Sequence, residues 1–311
     1  MRGCRTGHGP AAHAAAGWDQ VPPHWPLREH SRFVEAGGLR WHVQIVGSGP
    51  ALLLVHGTGA SAHSWAATAR LLEASFQTVV PDLPGHGFTA LPPPAGLSLP
   101  GMASRLAALL AELEIQPALV AGHSAGAAVL ARMALDGRIA PRALVSVNGA
   151  LLPLRGMAGQ LFSPLAKLIA SSDATARLFA WRVRRDRAVI RRMLDATGST
   201  IDEAGAELYR RLAGDPDHVA AALGMMANWD LAVLARDLPR LPMPLVLVVG
   251  TNDRTVRPAE ARRVQALLPT AQLVPLPGLG HLAHEEQPTA TAELLRRLAA
   301  AHGIEPAAAA R

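Results

Sequence analysis

ALVAGHSAG, residues 118–126, joins a short apolar run to the pattern Gly-x-Ser-x-Gly at Gly122–Gly126. The run predicts a strand over Ala118–Ala121, and the small residues that follow predict a helix over Gly126–Leu135. A serine in this strand–turn–helix context is held in a strained turn that projects its hydroxyl outwards. The flanking glycines lack the Cβ atoms that would collide with the neighbouring strand and helix. An ordinary strand–helix turn is the alternative, but the context predicts that Ser124 is a nucleophile.

A second glycine-rich turn, His56-Gly57-Thr58-Gly59, follows the predicted apolar strand Leu52–Val55. Glycines at this point let backbone amides turn towards a developing negative charge. We therefore predict an oxyanion hole formed by the N–H groups of Thr58 and Ala125, the residue after the serine. A plain strand–helix turn is the alternative interpretation, and two separate loops that point at one pocket favour the catalytic one.

The general base and its carboxylate partner are expected in the chain order Ser, Asp, His. Asp253 follows the predicted strand Leu245–Val249, and His281 follows the predicted strand Leu273–Leu276. Both residues lie in loops at the carboxyl ends of strands, where ligand chemistry gathers in open parallel sheets. We predict that His281 takes the Ser124 proton and returns it to the leaving group. Asp253 then fixes the tautomer of the imidazole and stabilises the imidazolium.

Two further polar groups invite other interpretations. Asp82 precedes the serine in the chain, so we predict that it braces a loop and is not the triad acid. His284 follows His281 by three residues and is followed by Glu285 and Glu286. The third ligand of a standard zinc-hydrolase arrangement is missing from this pattern. No metal and no cofactor are predicted.

Short apolar runs alternate with longer amphipathic stretches along most of the chain, which predicts an α/β fold. The continuous runs predict a mainly parallel sheet with helices on both faces. The first two predicted strands, Leu39–Ile45 and Ala51–Val55, have no helix between them, which indicates an antiparallel start. The other predicted elements are the strands Thr78–Pro81 and Ala143–Val147 and the helices Trp65–Ala74, Met102–Leu113, Ala259–Leu268 and Thr289–Ala301.

This alternation stops between residues 150 and 240. The segment contains Leu, Met, Ala and Arg throughout and no convincing strand pattern, and a structureless loop of such length is improbable in a compact domain. We predict a helical cap over 150–240, inserted into an α/β core made of 18–149 and 241–303. Residues 1–17 are expected to form a disordered tail.

Composition limits the class of protein further. Half of the 311 residues are hydrophobic and 17% are charged, which favours a sizeable buried core. The first residues lack a signal-peptide pattern, no unbroken apolar run is long enough to span a membrane, and Cys4 is the single cysteine. These features predict a cytoplasmic location without a transmembrane segment or an internal disulfide. The net charge of +6 invites a nucleic-acid interpretation, but Lys167 is the only lysine and the arginines are scattered, so no nucleic-acid partner is predicted.

One local cluster of arginines has two interpretations. A solvated helix surface is the simpler one, and a patch for an anionic substrate, an acidic partner or membrane headgroups is the other. The cluster consists of Arg182, Arg184, Arg185, Arg187, Arg191 and Arg192.

A hydrophobic small-molecule substrate is predicted to contact the elbow and the apolar side chains of the cap. Packing of the cap against the core explains the cap residues equally well. The predicted substrate-binding residues are His123, Phe162, Met225, Met226 and Trp229.

Several of these motifs together resemble the α/β-hydrolase superfamily, over about residues 31–302. They are the His56–Gly59 loop, the loop Asp82-Leu83-Pro84-Gly85-His86-Gly87, the Gly122–Gly126 elbow, Asp253, and the pair Gly280-His281. Many members of that superfamily carry proline where Gly59 stands here. The resemblance implies the α/β-hydrolase fold and a cofactor-independent triad.

A narrower resemblance rests on Trp18, Trp25-Pro26, Phe33–Gln44, His56–Ser61, Met133–Gly137 and Ala222–Asp230. These stretches are similar to the magnesium chelatase accessory proteins of bacteriochlorophyll synthesis clusters. This similarity implies a photosynthetic bacterium, a role near magnesium insertion into protoporphyrin, a tetrapyrrole-like substrate, and chelatase subunits as partners.

Three hypotheses about function follow. The leading one is a serine hydrolase of an ester or related acyl bond in a hydrophobic substrate. The second is a porphyrin-binding or chelatase-accessory protein that uses a hydrolase scaffold without turnover. The third is non-hydrolytic chemistry, such as peroxidation or C–C cleavage, because fold and triad do not fix the reaction.

Overall fold

The computed structural model describes residues 21–153 and 173–307. Its centre is a sheet of eight strands in the order β1-β2-β4-β3-β5-β6-β7-β8. Strand β2 is antiparallel to β1 and to β4, and every other pairing in the sheet is parallel. The strands are β1 (Ser31–Ala36), β2 (Leu39–Val46), β3 (Ala51–Val55), β4 (Gln77–Pro81), β5 (Leu119–His123), β6 (Leu144–Val147), β7 (Leu245–Gly250) and β8 (Gln272–Leu276).

The prediction of a mainly parallel α/β sheet is confirmed. The start of the sheet is antiparallel, but β2 pairs with β1 and β4 and not with β3, which lies further inside the sheet. Strand β1 was not predicted. Its side chains alternate between buried and more exposed positions, as expected at a sheet edge, so it lacks the continuous apolar run that marks the inner strands.

Eleven helices are described around and beside this sheet. They are α1 (Ala66–Leu72), α2 (Leu99–Glu112), α3 (Ala125–Leu135), α4 (Asp173–Arg185), α5 (Ala188–Ala196), α6 (Glu203–Ala213), α7 (Pro216–Ala227), α8 (Ala232–Asp237), α9 (Pro258–Leu267), α10 (Ala283–Glu286) and α11 (Pro288–Ala301).

Alternate residues of the inner strands face two separate cores. In β3, Leu53 and Val55 pack with residues of α2 and α3, whereas Leu52 and Leu54 pack with residues of α1 and α11. All four side chains are fully buried. A strand that is covered on both faces has to be apolar at every position, which explains the continuous runs in the sequence.

The segment between β6 and β7 contains α4–α8 and no strand within its described part. Helices α6 and α7 begin with aspartate caps, in which the side chains of Asp202 and Asp215 accept backbone N–H groups of the first turn. The insertion packs on the core partly through Leu282, which shares an apolar cluster with Val183 and Ile190. The predicted tail 1–17 and the predicted site residue Phe162 lie outside the described residues.

Within the described residues, no single helix has both the length and the apolar character to cross a membrane. Helix α7 and the segment Ala232–Arg240 meet the length and composition criteria only together, as a pair bent by 54°.

Candidate active site

Ser124 lies in the one-residue turn between β5 and α3, with φ 50° and ψ −118°. Positive φ in a residue other than glycine costs about 1–3 kcal/mol and persists only where the surroundings enforce it. A Cβ on Gly122 would collide with the backbone of Ala127, and a Cβ on Gly126 would collide with Val55 O. The two glycines of the motif therefore let β3, β5 and α3 approach closely enough to form the elbow.

Backbone hydrogen bonds hold the elbow on both sides. The Ser124 N–H donates to Val147 O at 3.0 Å, and the Ala150 N–H donates to Ser124 O at 3.0 Å. The Ser124 side chain is half-buried, and its hydroxyl has no hydrogen-bond partner among the described residues. The strained residue is thus fixed through its main chain, and its hydroxyl is left without a structural role.

His281 and Asp253 form a buried pair in which Nδ1–H of the imidazole donates to Asp253 Oδ2 at 2.8 Å. The other carboxylate oxygen accepts the N–H groups of Thr255 at 2.7 Å and Val256 at 2.9 Å. The two residues are 6% and 3% exposed. Because Nδ1 carries the proton, Nε2 is the acceptor of the ring, which is the tautomer that a general base requires.

The structure does not bring all three predicted triad residues into one hydrogen-bonded chain. A bond between Ser124 Oγ and His281 is absent from the contacts of the described residues, although the elbow and the histidine loop are adjacent. His123 Nε2–H donates to His281 O at 2.9 Å, and the two ring centroids are 4.7 Å apart. Catalytic hydrogen bonds are often long before substrate binds, and the triad stays a prediction.

The two amides of the predicted oxyanion hole are free in the described part of the chain. Neither the Thr58 N–H nor the Ala125 N–H donates to an acceptor there. The loop that carries Thr58 lies close to Ser124, since a Cβ on Gly57 would lie 2.9 Å from Ser124 Cβ. Free amides in the two loops next to Ser124 meet the first condition for stabilising an oxyanion.

His56 connects the loop of Thr58 to the loop of Asp82. Its Nδ1–H donates to Gly57 O at 2.8 Å, and its Nε2 accepts the Leu83 N–H at 2.8 Å. Burial lowers the pKa of the His56 imidazole to about 4, so the ring is neutral. Both loops are therefore held by one histidine of fixed tautomer.

Asp82 is fully buried and braces its own loop, as its chain position indicated. Its carboxylate accepts the N–H groups of Ala62 at 2.6 Å and Phe88 at 2.9 Å, and Nδ1–H of His42 at 2.8 Å. Burial alone raises the pKa of the Asp82 carboxyl, but the interaction with His42 and the accepted hydrogen bonds lower that pKa to about 2. The charged carboxylate is thus fully occupied by structural partners.

The predicted substrate-binding residues occupy different environments. Met225 is buried, and its Sδ accepts the Thr58 hydroxyl at 3.3 Å, so it lies directly beside the oxyanion loop. Met226 is half-buried, and Trp229 packs partly buried against the main core, as cap–core packing requires. His123 is only 2% exposed and donates to the His281 backbone. This bond supports the histidine loop, and contact of His123 with a substrate stays a prediction.

His218 is a site residue that the sequence did not reveal. It lies buried on α7 in the insertion, where Nε2–H donates to Gly59 O at 3.2 Å and Nδ1 accepts the Gly87 N–H at 3.1 Å. Burial lowers the pKa of His218 to about 4. The insertion is thereby tied to the oxyanion loop through a neutral imidazole, and a lone histidine in a helix gives no sequence motif for such a contact.

A metal site is absent from the described residues, where no three His, Cys, Asp or Glu side chains are grouped to hold an ion. The chemistry available at the elbow is that of a hydroxyl, an imidazole, a carboxylate and two amides.

Residues 52–294 match the alpha/beta hydrolase family, and the chain belongs to that family. It is 40% identical over 267 residues to the magnesium-chelatase 30 kDa subunit of Rhodobacter capsulatus, covering 85% of this chain and 93% of that protein. It is also 25% identical over 258 residues to the pimeloyl-[acyl-carrier protein] methyl ester esterase of Nitrosospira multiformis, covering 79% of this chain and 93% of that one. Among solved structures, a thermophilic esterase from Thermogutta terrifontis superposes with a TM-score of 0.67 at 27% identity, covering 88% of this chain and 98% of that one.

Proposed function

We propose that the protein is a serine hydrolase that cleaves an ester or related acyl bond through Ser124. The observation that carries this proposal is the buried hydrogen bond between His281 and Asp253, next to a serine in a strained backbone conformation. A structural serine gains nothing from such strain, whereas a nucleophile gains an accessible hydroxyl. The free amides of Thr58 and Ala125 support the same conclusion.

In the proposed mechanism His281 Nε2 takes the proton of Ser124 Oγ while the oxygen attacks the acyl carbon. The negative charge that develops on the carbonyl oxygen is stabilised by the Thr58 and Ala125 N–H groups, each worth about 3 kcal/mol in comparable sites. The C–O bond breaks as His281 returns the proton to the departing alcohol. Water then repeats these steps on the acyl-enzyme, with Asp253 stabilising the imidazolium each time.

The proposed substrate is a hydrophobic ester of the size class of a tetrapyrrole, and magnesium chelatase subunits are the proposed partners. The 40% identity to a magnesium-chelatase 30 kDa subunit supports a role near magnesium insertion into protoporphyrin. The similarity to a methyl ester esterase supports an ester as the bond that is cleaved. The cytoplasmic location and contact with a membrane surface both stay predictions.

A fluorophosphonate tests the nucleophile because it phosphonylates activated serines of folded hydrolases. We expect one adduct per chain, mapped to Ser124 by peptide mass spectrometry and absent from Ser124→Ala. Ser146 on the neighbouring strand is buried without a hydrogen-bond partner, so Ser146→Ala is a matched control that should keep the adduct. Folded wild-type protein without an adduct on Ser124 would contradict the proposal.

A second candidate function, tetrapyrrole binding without turnover, is favoured by one cavity. A cavity of about 850 Å³ lies between the insertion and the core, within the usual size range of small-molecule sites. Trp25, Phe88 and Leu91 contribute apolar surface, and Arg184, Arg210 and Arg211 contribute positive charge. The Arg211 guanidinium donates no hydrogen bond among the described residues, although its charge interacts with Glu207. Arg184 donates to Gly214 O, and Arg210 pairs with Glu207. Asp215 and Asp217 line the same cavity, so the fit of an apolar ring with carboxylate substituents rests on its arginine side.

Titration of the protein with protoporphyrin, followed by the Soret absorbance, tests the cavity. Arg211→Glu should weaken binding at least about tenfold, since a charge reversal replaces attraction by repulsion. Arg192 belongs to the nearby arginine cluster but does not line the cavity, so Arg192→Glu is the control. Equal affinity of both variants would refute this binding site. Full pigment formation in a deletion strain that carries Ser124→Ala would show that turnover is dispensable.

A further inference from the structure

We infer that the turn Thr197–Thr200, between α5 and α6 of the insertion, is a positioning element for the catalytic pair. It holds the loop of Asp253 and the loop of His281 in one fixed arrangement. This inference rests on the proposed function, because it assigns a role in the same relay. Below, these four residues are called the insertion turn.

One carbonyl of the insertion turn contacts both loops. Thr197 O accepts the N–H of Arg254 at 3.1 Å and the N–H of His281 at 3.4 Å. Arg254 directly follows Asp253 in the chain, so the two donors belong to the residue beside the acid and to the base itself. The insertion is therefore bonded to the main chain at the two positions that the mechanism requires to stay aligned.

Two further hydrogen bonds, each involving one side chain, join the same two loops to the insertion turn. Asn252 Nδ2–H donates to Gly198 O at 2.6 Å, and the Leu282 N–H donates to Ser199 Oγ at 2.8 Å. Asn252 precedes the acid and Leu282 follows the base. The turn thus holds residues on each side of the catalytic pair, through four hydrogen bonds that run from the loops to the insertion.

The contact is made backbone against backbone. A Cβ on Gly280 would collide with the main chain of Gly198, and a Cβ on Gly198 would collide with Asn252 O. Gly198 also has φ +83°, a conformation that favours glycine. Two glycines therefore allow the insertion turn to lie between the loops without an intervening side chain, which leaves little freedom for relative movement.

Glu286 of α10 adds a cross-link from the core. Its Oε1 accepts the Gly280 N–H at 2.7 Å, and its Oε2 accepts the Thr200 N–H at 3.0 Å. One carboxylate thereby joins the residue before the base to the end of the insertion turn. The histidine loop is held from two sides, by the insertion and by its own helix.

The acid and the base come from different strands, β7 and β8, so their loops need a restraint beyond the ends of the sheet. The loops do contact each other directly, since the Asn252 N–H donates to Leu279 O at 2.9 Å. The insertion turn adds bonds at the reacting residues themselves. Because a misplacement of about 1 Å costs about a hundredfold in rate, these bonds matter for the relay. The insertion is then part of the catalytic support and not only a cover.

The test measures the second-order rate of fluorophosphonate labelling of Ser124 against pH. Ser199→Ala removes the acceptor of the Leu282 N–H, and Asn252→Ala removes the donor to Gly198 O. Asn252 is exposed, so that variant should fold even if Ser199→Ala does not. We expect labelling to slow about tenfold in each. We also expect the pH midpoint to move down, because a loosened Asp253 stabilises the imidazolium less.

Thr200→Ala is the matched control, because the side chain of Thr200 is exposed and only its main chain takes part in the contact. It should label at the wild-type rate and midpoint. Wild-type rates and midpoints in both Ser199→Ala and Asn252→Ala would overturn the inference while leaving the proposed hydrolase intact.

If the wild-type protein does not label at all, the proposed function fails, and hydrogen exchange then decides on the turn. The amides of Arg254, His281 and Leu282 should exchange at least about tenfold faster in Ser199→Ala than in Thr200→Ala. Equal exchange in the two variants would overturn the positioning role by itself.

Discussion

Ser124 occupies a conformation that non-glycine residues rarely adopt, and its neighbours stabilise that conformation. Gly122 and Gly126 provide the space, while the Val147 carbonyl and the Ala150 amide fix the main chain. The sequence predicted this turn, because the turn requires residues without a Cβ two positions before and two positions after the serine. The glycines therefore predict where strain is stored.

We predict that Gly126→Ala destabilises the fold by about 3 kcal/mol, because the added methyl group would collide with Val55 O. The matched control is Gly38→Ala in the turn between β1 and β2. Gly38 has φ +70° but open space around a Cβ, so only the conformational cost of about 1 kcal/mol applies. Urea denaturation followed by circular dichroism measures both. Equal losses of stability would show that α3 does not press against β3 as described.

The loops that form the site lie at the carboxyl ends of strands. Two of them are held by the hydrogen bonds of a buried aspartate. Asp82 braces one loop through two amides and His42, while Asp253 accepts two amides and His281. The two carboxylates are similar in local chemistry. They differ in which histidine they hold and in whether that histidine lies beside the elbow.

We predict that, of Asp82→Asn and Asp253→Asn, only the second slows labelling of Ser124. Asp82→Asn should cost about 3 kcal/mol of stability, because buried donors lose a charged acceptor. Asp253→Asn should cost a comparable amount of stability, because Asp253 is also buried and accepts two amides and an imidazole N–H. It should in addition slow labelling of Ser124 at least about a hundredfold, since the imidazole loses its orienting carboxylate. Denaturation curves and labelling rates, measured on both variants, check this. An Asp82→Asn protein that stays stable but loses reactivity would reverse the assignment of the two acids.

Sequence patterns predicted the inner strands and most core helices because each follows from a local periodicity of apolar residues. Strand β1 was not predicted, because buried and exposed residues alternate in an edge strand and leave no continuous apolar run. The helices of the insertion contain no sequence motif that predicts their contacts. The roles of His218 and the insertion turn depend on contacts between residues that are far apart in the chain. A Thr-Gly-Ser sequence between two helices predicts a turn and gives no information about what the turn contacts. The triad itself stays a prediction until its chemistry is measured.

On the scale of the whole molecule, buried histidines make the fold sensitive to acid. Burial lowers the pKa of each below its ordinary value, so each is neutral when folded. A lowered folded-state pKa gives stability that is present above pH 6.5 and lost as the pH falls through the folded-state values, which are about 4 for His56 and His218 and about 3 for His63, His86 and His284. These histidines are His56, His63, His86, His123, His218 and His284.

We predict that the free energy of unfolding falls steeply between pH 6.5 and pH 4, with a net uptake of roughly five protons on unfolding at pH 5. Glu285 reduces the count by one, because burial raises its pKa to about 8 and unfolding then releases its proton. Urea denaturation at a series of pH values gives the proton uptake from the slope. Constant stability over this range would contradict the neutral, buried state of the histidines.

Membership of the alpha/beta hydrolase family fixes the scaffold without fixing the reaction. A nucleophilic Ser124 carries an acyl group during turnover. The direct measurement is intact-mass spectrometry of protein quenched in acid shortly after mixing with a short-chain p-nitrophenyl ester. We predict a mass increase of one acyl group that maps to Ser124, accompanied by release of p-nitrophenol. Folded protein that gains no acyl group, or gains it equally in Ser124→Ala, would rule out Ser124 as the nucleophile.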